Sequence, residues 1–110
     1  MKPVLFKLFL GLVVSAYAGC ALGQEVGNAH DGFIFAQGVC AECHAVRDGE
    51  SASPNSGAPS FTAVANTRGM TALALKVWFQ SPHPTMPNFK ITSQENDDVV
   101  AYILSLRKRQ

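Results

Sequence analysis

The pentapeptide Cys40-Ala41-Glu42-Cys43-His44 constrains this chain more than any other feature, because it sets two thiols two residues apart with an imidazole directly behind the second. A C-x-x-C pair has three common readings: a redox dithiol, half of a zinc site and, when His follows, covalent attachment of a haem. Structural zinc takes four ligands, and outside this motif the chain offers His30 and His83 and no second Cys pair. A thioredoxin-like dithiol belongs at a helix N-terminus after a strand, in a βαβ setting, and no strand pattern precedes Cys40. Haem attachment employs all three residues at once. Each thiol adds to one vinyl group of the ring while the adjacent imidazole reaches the iron.

The odd count of three cysteines fits that reading once the N-terminus is considered. Lys2 and Lys7 form a positive n-region, Leu8 to Ala16 an apolar stretch of h-region length, and small residues follow, so residues 1–23 read as a signal peptide. A retained transmembrane helix would need about 20 apolar residues, more than the run from Leu8 supplies. Ala16-Tyr17-Ala18 and Ala21-Leu22-Gly23 both suit a signal peptidase, and the second starts the mature chain at Gln24. Tyr17-Ala18-Gly19-Cys20 also looks like a bacterial lipobox, which would make Cys20 a lipidated first residue and is the only feature here that points to a membrane. Export to the periplasm is the expected location, with residues 24–110 forming one small domain.

Apolar residues make up 47% of the sequence and charged residues 15%, which excludes a disordered chain and a nucleic-acid-binding tail. Residues 24–110 hold seven Lys and Arg against eight acids, a net charge of −1, so long-range steering is weak. Three of the seven, Arg107, Lys108 and Arg109, stand where they favour the negative end of a terminal helix.

Along the downstream chain the periodicity is helical. Asp31 is a candidate N-cap for a helix leading into the Cys40 motif, with Phe35 and Val39 on one face. Residues 45–60 are rich in Gly, Ser, Pro and Asn and read as a loop wrapped around something other than itself. One helical turn is predicted over 61–65 and a helix over 71–80, with Leu73, Val77 and Trp78 at helical spacing. Thr92 and Glu95 form a capping-box pair opening a last helix that reaches about Lys108, with Val99, Ile103 and Leu106 as one stripe widened by Val100 and Tyr102. No alternating run of useful length occurs, so the expected class is all-α.

With His44 on one side of an iron, one axial position remains, and the candidates are Met70, Met86, His30 and His83. Met86 lies in Ser81-Pro82-His83-Pro84-Thr85-Met86-Pro87-Asn88-Phe89, where three prolines fix φ and remove three backbone donors. A stiffened loop is what a weak thioether ligand requires, and Met86 is preferred on that ground. Met70, just before a helix, reads as a residue filling a core gap. His83 is a stronger ligand by nature but shares the loop with Met86, and only one of the two can face the ring. His30 reads as an exposed residue before the first helix.

At this point the sequence resembles the class I monohaem cytochromes c across residues 24–110. The resemblance is carried by Gly32-x-x-Phe35, Cys40 to His44, Ala58-Pro59-Ser60-Phe61, Pro82 to Phe89, and Asp98 to Leu106, in the family's order. It implies the cytochrome c fold, three to five helices around one covalently attached haem c. It implies thioethers at Cys40 and Cys43, axial iron ligands His44 and Met86, and a Pro59 carbonyl accepting from the outer imidazole N–H of His44. Trp78 would lie at the ring edge, and Gly32 would let the first helix approach the last, where Tyr102 packs. The implied function is single-electron transfer between redox protein partners, without enzyme chemistry. Two other functions stay open: a haem c subunit dedicated to one dehydrogenase or oxidase, which copurification would reveal, and a ligand-binding sensor, which rapid carbon monoxide binding would reveal.

Overall fold

A computed structural model describes residues 27–108, and the signal segment 1–23 with its cleavage sites and Cys20 lies outside that range. Four helices and no strands are found among the described residues: α1 (Ala29–Val39), α2 (Phe61–Ala65), α3 (Ala72–Gln80) and α4 (Ser93–Ser105). The all-α expectation holds. No helix among these residues is long and apolar enough to cross a membrane.

Each helix opens on a polar side chain that accepts from an otherwise unpaired first-turn N–H. Asn28 caps α1, accepting from His30 N–H at 2.9 Å. Asp31, expected as the cap, stands instead inside the first turn, where its charge favours the positive end of the helix. His30 is likewise within α1, and exposed. Ser60 caps α2 and Thr71 caps α3. The Thr92–Glu95 capping box is formed in both directions, with Thr92 N–H to Glu95 Oε2 at 2.7 Å and Glu95 N–H to Thr92 Oγ1 at 3.2 Å.

The core is built where α1 crosses α4, the most extensive helix contact of the fold. A β-carbon on Gly32 would collide with the Asp98 carbonyl and with Cβ of Tyr102, so glycine is required for the approach. Gly27 meets the Asp97 carbonyl in the same way. Buried Asp98 ties the two elements by accepting from Asn28 N–H at 2.7 Å and from Gln94 Nε2 at 2.8 Å. Val99, Val100, Tyr102, Ile103 and Leu106 are buried, as their stripe predicts, together with Ala36, Phe61, Ala65 and Leu75.

Helix α3 departs from expectation. Its buried residue is Leu75, while Leu73, Val77 and Trp78 are all more than half exposed. Leu75 turns into the core and half-buried Phe79 packs against it, while the Lys76 ammonium pairs with Asp97 of α4 at 2.5 Å. Helix α4 ends at Ser105, short of Lys108, because Asn66 receives its end: Asn66 Nδ2 donates to the Leu106 carbonyl at 3.3 Å and Lys108 N–H donates to Asn66 Oδ1 at 2.9 Å. Arg107 does more than face a helix dipole, since its guanidinium donates to the Met70 carbonyl. Met70 packs against the core, as its gap-filling reading requires.

Candidate haem site

Cys40 closes α1, its N–H donating to the Ala36 carbonyl at 2.8 Å, and the chain continues in one more helical turn. His44 N–H returns to the Cys40 carbonyl at 2.9 Å and Cys43 N–H reaches the same oxygen at 3.1 Å. In such a turn residues i, i+3 and i+4 share a side, so Cys40, Cys43 and His44 gather together while Glu42 is exposed. Burial pushes the Cys40 thiol up to about 11. A redox dithiol needs a lowered thiol pKa, so this environment disfavours that reading of the motif.

The His44 ring is fixed from two directions. Its Nδ1 lies 2.7 Å from the Pro59 carbonyl oxygen. A carbonyl only accepts, so Nδ1 carries a proton, and Nε2 is the nitrogen left to meet a metal. The ring also packs on Phe61, with centroids 5.5 Å apart. Pro59 is itself held, because Phe61 N–H donates to the Ala45 carbonyl at 2.9 Å, next to the His44–Pro59 bond.

The loop between these ties, expected to wrap around something other than itself, is stitched to the motif. Ser53 Oγ accepts from Ala45 N–H at 2.9 Å, and Asn55 N–H donates to the Cys43 carbonyl at 3.1 Å. Tyr102 completes the support, its hydroxyl donating to the buried Val46 carbonyl at 2.6 Å and its ring meeting Phe33 and Phe61 at 5.1 and 6.4 Å. Periodicity misses these partners, since a lone Ser or Asn in a polar loop looks like any other. The signal that the sequence does carry is the Tyr102 position opposite Gly32.

Met86 enters from the other side of the chain. It is half-buried and lines a cleft together with Cys40, Phe35, Val39, Trp78, Phe79, Phe89 and Ile91, with Ser81, His83, Pro87 and Asn88 at its edge. Trp78 lines this cleft but is 54% exposed, and its indole is stacked on the His83 imidazole at 3.7 Å. His83 is thus engaged with α3. His30 and Met70 line no part of the cleft.

The donor set fits a covalently attached haem. Two thiols and an imidazole with a free Nε2 share one helical turn, and a thioether lies on the same largely apolar cleft as the first thiol. Comparison with known proteins agrees. The profile of the Cytochrome c family matches residues 30–107. The chain is 35% identical over 98 residues to Cytochrome c-552 of Bradyrhizobium diazoefficiens, covering 89% of this chain and 90% of that protein. No solved structure matches it significantly. The turn that presents Cys40, Cys43 and His44, the all-α fold around it and these matches together make the chain a member of the cytochrome c family, which carries covalently bound haem c and transfers electrons.

Proposed function

We propose that the protein is an exported, periplasmic single-electron carrier in which Cys40 and Cys43 hold the haem by thioethers and His44 Nε2 and Met86 Sδ are the axial ligands. The observation that carries this reading is the shared cleft of Cys40 and Met86, which are remote in sequence. Bound haem supplies the one-electron Fe(III)/Fe(II) couple.

The chain's own residues do the rest. The Pro59 carbonyl orients the His44 ring and raises its basicity. Phe35, Val39 and Phe79 keep water from the cleft wall, and a His/Met pair leaves no position for a substrate while raising the potential relative to bis-His. Trp78 stands at the rim, where it contributes ring-edge packing. The net charge of −1 over residues 24–110 leaves partner choice to local shape, with one redox protein as donor and another as acceptor.

The test is the Met-to-Fe(III) charge-transfer band of the oxidised holoprotein. Met86→Ala abolishes the band and lets the reduced protein bind carbon monoxide rapidly; survival of the band assigns the ligand elsewhere. Mass spectrometry of the purified holoprotein checks the remainder: a polypeptide beginning at Gln24 plus one haem supports export and attachment, and a lipidated Cys20 makes the carrier membrane-anchored.

A further inference from the structure

Ser81 and His83 close the C-terminal end of α3 from the loop that carries Met86. The Ser81 hydroxyl donates to the Val77 carbonyl at 2.7 Å, and Ser81 N–H donates to the Trp78 carbonyl at 3.2 Å. That same carbonyl accepts a second bond, from His83 Nε2–H at 2.7 Å. The His83 imidazole also lies almost flat on the Trp78 indole, with centroids 3.7 Å apart and planes 20° from parallel. One side chain therefore holds the helix end by two contacts of different kinds. Pro82 and Pro84 flank His83 and Pro87 follows Met86, so few backbone torsions between the anchor and the thioether are free.

We infer that His83 is a positioning residue, a latch that clamps the Met86 loop onto the end of α3 and thereby sets how often the thioether leaves the iron. The inference rests on Met86 being the axial ligand. A thioether is a weak ligand, so its residence on the metal depends on the freedom of the segment that delivers it. Elsewhere this segment has little to hold it, since Pro82, Pro84, Thr85, Pro87, Asn88 and Phe89 are exposed. The latch contacts are local to the loop, and breaking them releases the loop without opening the α1–α4 core.

The experiment uses the oxidised holoprotein and imidazole as the displacing ligand, following loss of the Met-to-Fe(III) band. His83→Ala accelerates displacement about tenfold, the size expected from one hydrogen bond and one aromatic stack together. His83→Gln, which keeps a donor, and His83→Phe, which keeps the stack, each give intermediate rates. The global unfolding midpoint, read by far-UV circular dichroism, stays near the unmodified value. Trp78→Leu alone gives an intermediate rate, because the residue-78 carbonyl still accepts from His83, and adding it to His83→Ala changes the rate little, because the stack is already gone; if Trp78→Leu does not fold, the three His83 variants decide the matter. An unchanged displacement rate in His83→Ala overturns the latch while leaving Met86 as ligand, provided Met86→Ala abolishes the band. Absence of the band from the unmodified oxidised protein, with a six-coordinate low-spin spectrum that only His83→Ala converts to high spin, makes His83 the ligand and overturns both readings.

Discussion

Where α1 crosses α4 the backbones approach so closely that Gly32 has no room for a β-carbon, whereas from Ser81 to Ile91 the chain has no helix and most side chains face solvent. The two regions support opposite sides of the proposed site by different physics. On the His44 side, buried packing and hydrogen bonds converge: Tyr102 fixes Val46, Phe61 backs the imidazole and Pro59 orients it. On the Met86 side, three prolines and one helix-end clamp replace a packed core. The proposed imidazole ligand is thus mounted on the most tightly packed part of the fold and the proposed thioether ligand on the least, so on that assignment loss of Met86 from the iron should precede global unfolding.

Gly32→Ala is the severest way to test this contrast. The new methyl meets the Asp98 backbone, which cannot give way as a flexible side-chain tip would, and the expected cost is about 3 kcal/mol in chemical denaturation. A cost under about 1 kcal/mol would mean that the helices slide apart freely, and the contrast would fail. Tyr102→Phe is next: it strands the buried Val46 carbonyl and should cost about 1–2 kcal/mol, again by denaturation, with the Met-to-Fe(III) band intact in the folded protein.

In the other region, Pro84→Ala should lower global stability by only about 0.5 kcal/mol, through the added freedom of the unfolded chain. It should nevertheless speed imidazole displacement of Met86. Equal effects on both readouts would erase the distinction between the regions.

The smallest effect concerns the Thr92–Glu95 box that joins the loop to α4. Hydrogen bonds from the Thr92 backbone N–H and then its hydroxyl hold the exposed Glu95 carboxyl below the usual range. The unfolded chain therefore binds this proton more readily than the folded one in acid. The contribution is complete above the ordinary glutamate pKa and is lost as pH falls through the lowered folded value. Glu95→Gln should flatten that part of the stability profile between neutral and acid pH.

Much of this contrast is legible in the order of residues alone. The C-x-x-C-H spacing, the Thr92 box and the stripe through Val99, Ile103 and Leu106 each depend on residues close in sequence, and each is present in the fold. Helix α3 is harder to read. Leu73, Val77 and Trp78 have helical spacing, but periodicity only says that residues share a side, not which side the core will take. The cap of α1 is ambiguous locally because Asn28 and Asp31 are both good caps, and Asn28 prevails where its own N–H is also bound by Asp98 from α4. The composition of residues 45–60 marks them as loop but does not reveal the anchors Ser53 and Asn55, since their partners are set by how the chain turns back.

What the amino-acid sequence determined by itself is the chemistry and its local presentation: two thiols and an imidazole at the spacing of one helical turn, a thioether among prolines, and four helices' worth of apolar period. These follow from torsional preference and short-range hydrogen bonding, which act within a few residues. The tertiary structure alone decided that Cys40 and Met86 line one cleft and that Pro59 meets His44. Those meetings depend on where the α1–α4 crossing sends the chain, and that crossing exists because Gly32 lets two backbones touch.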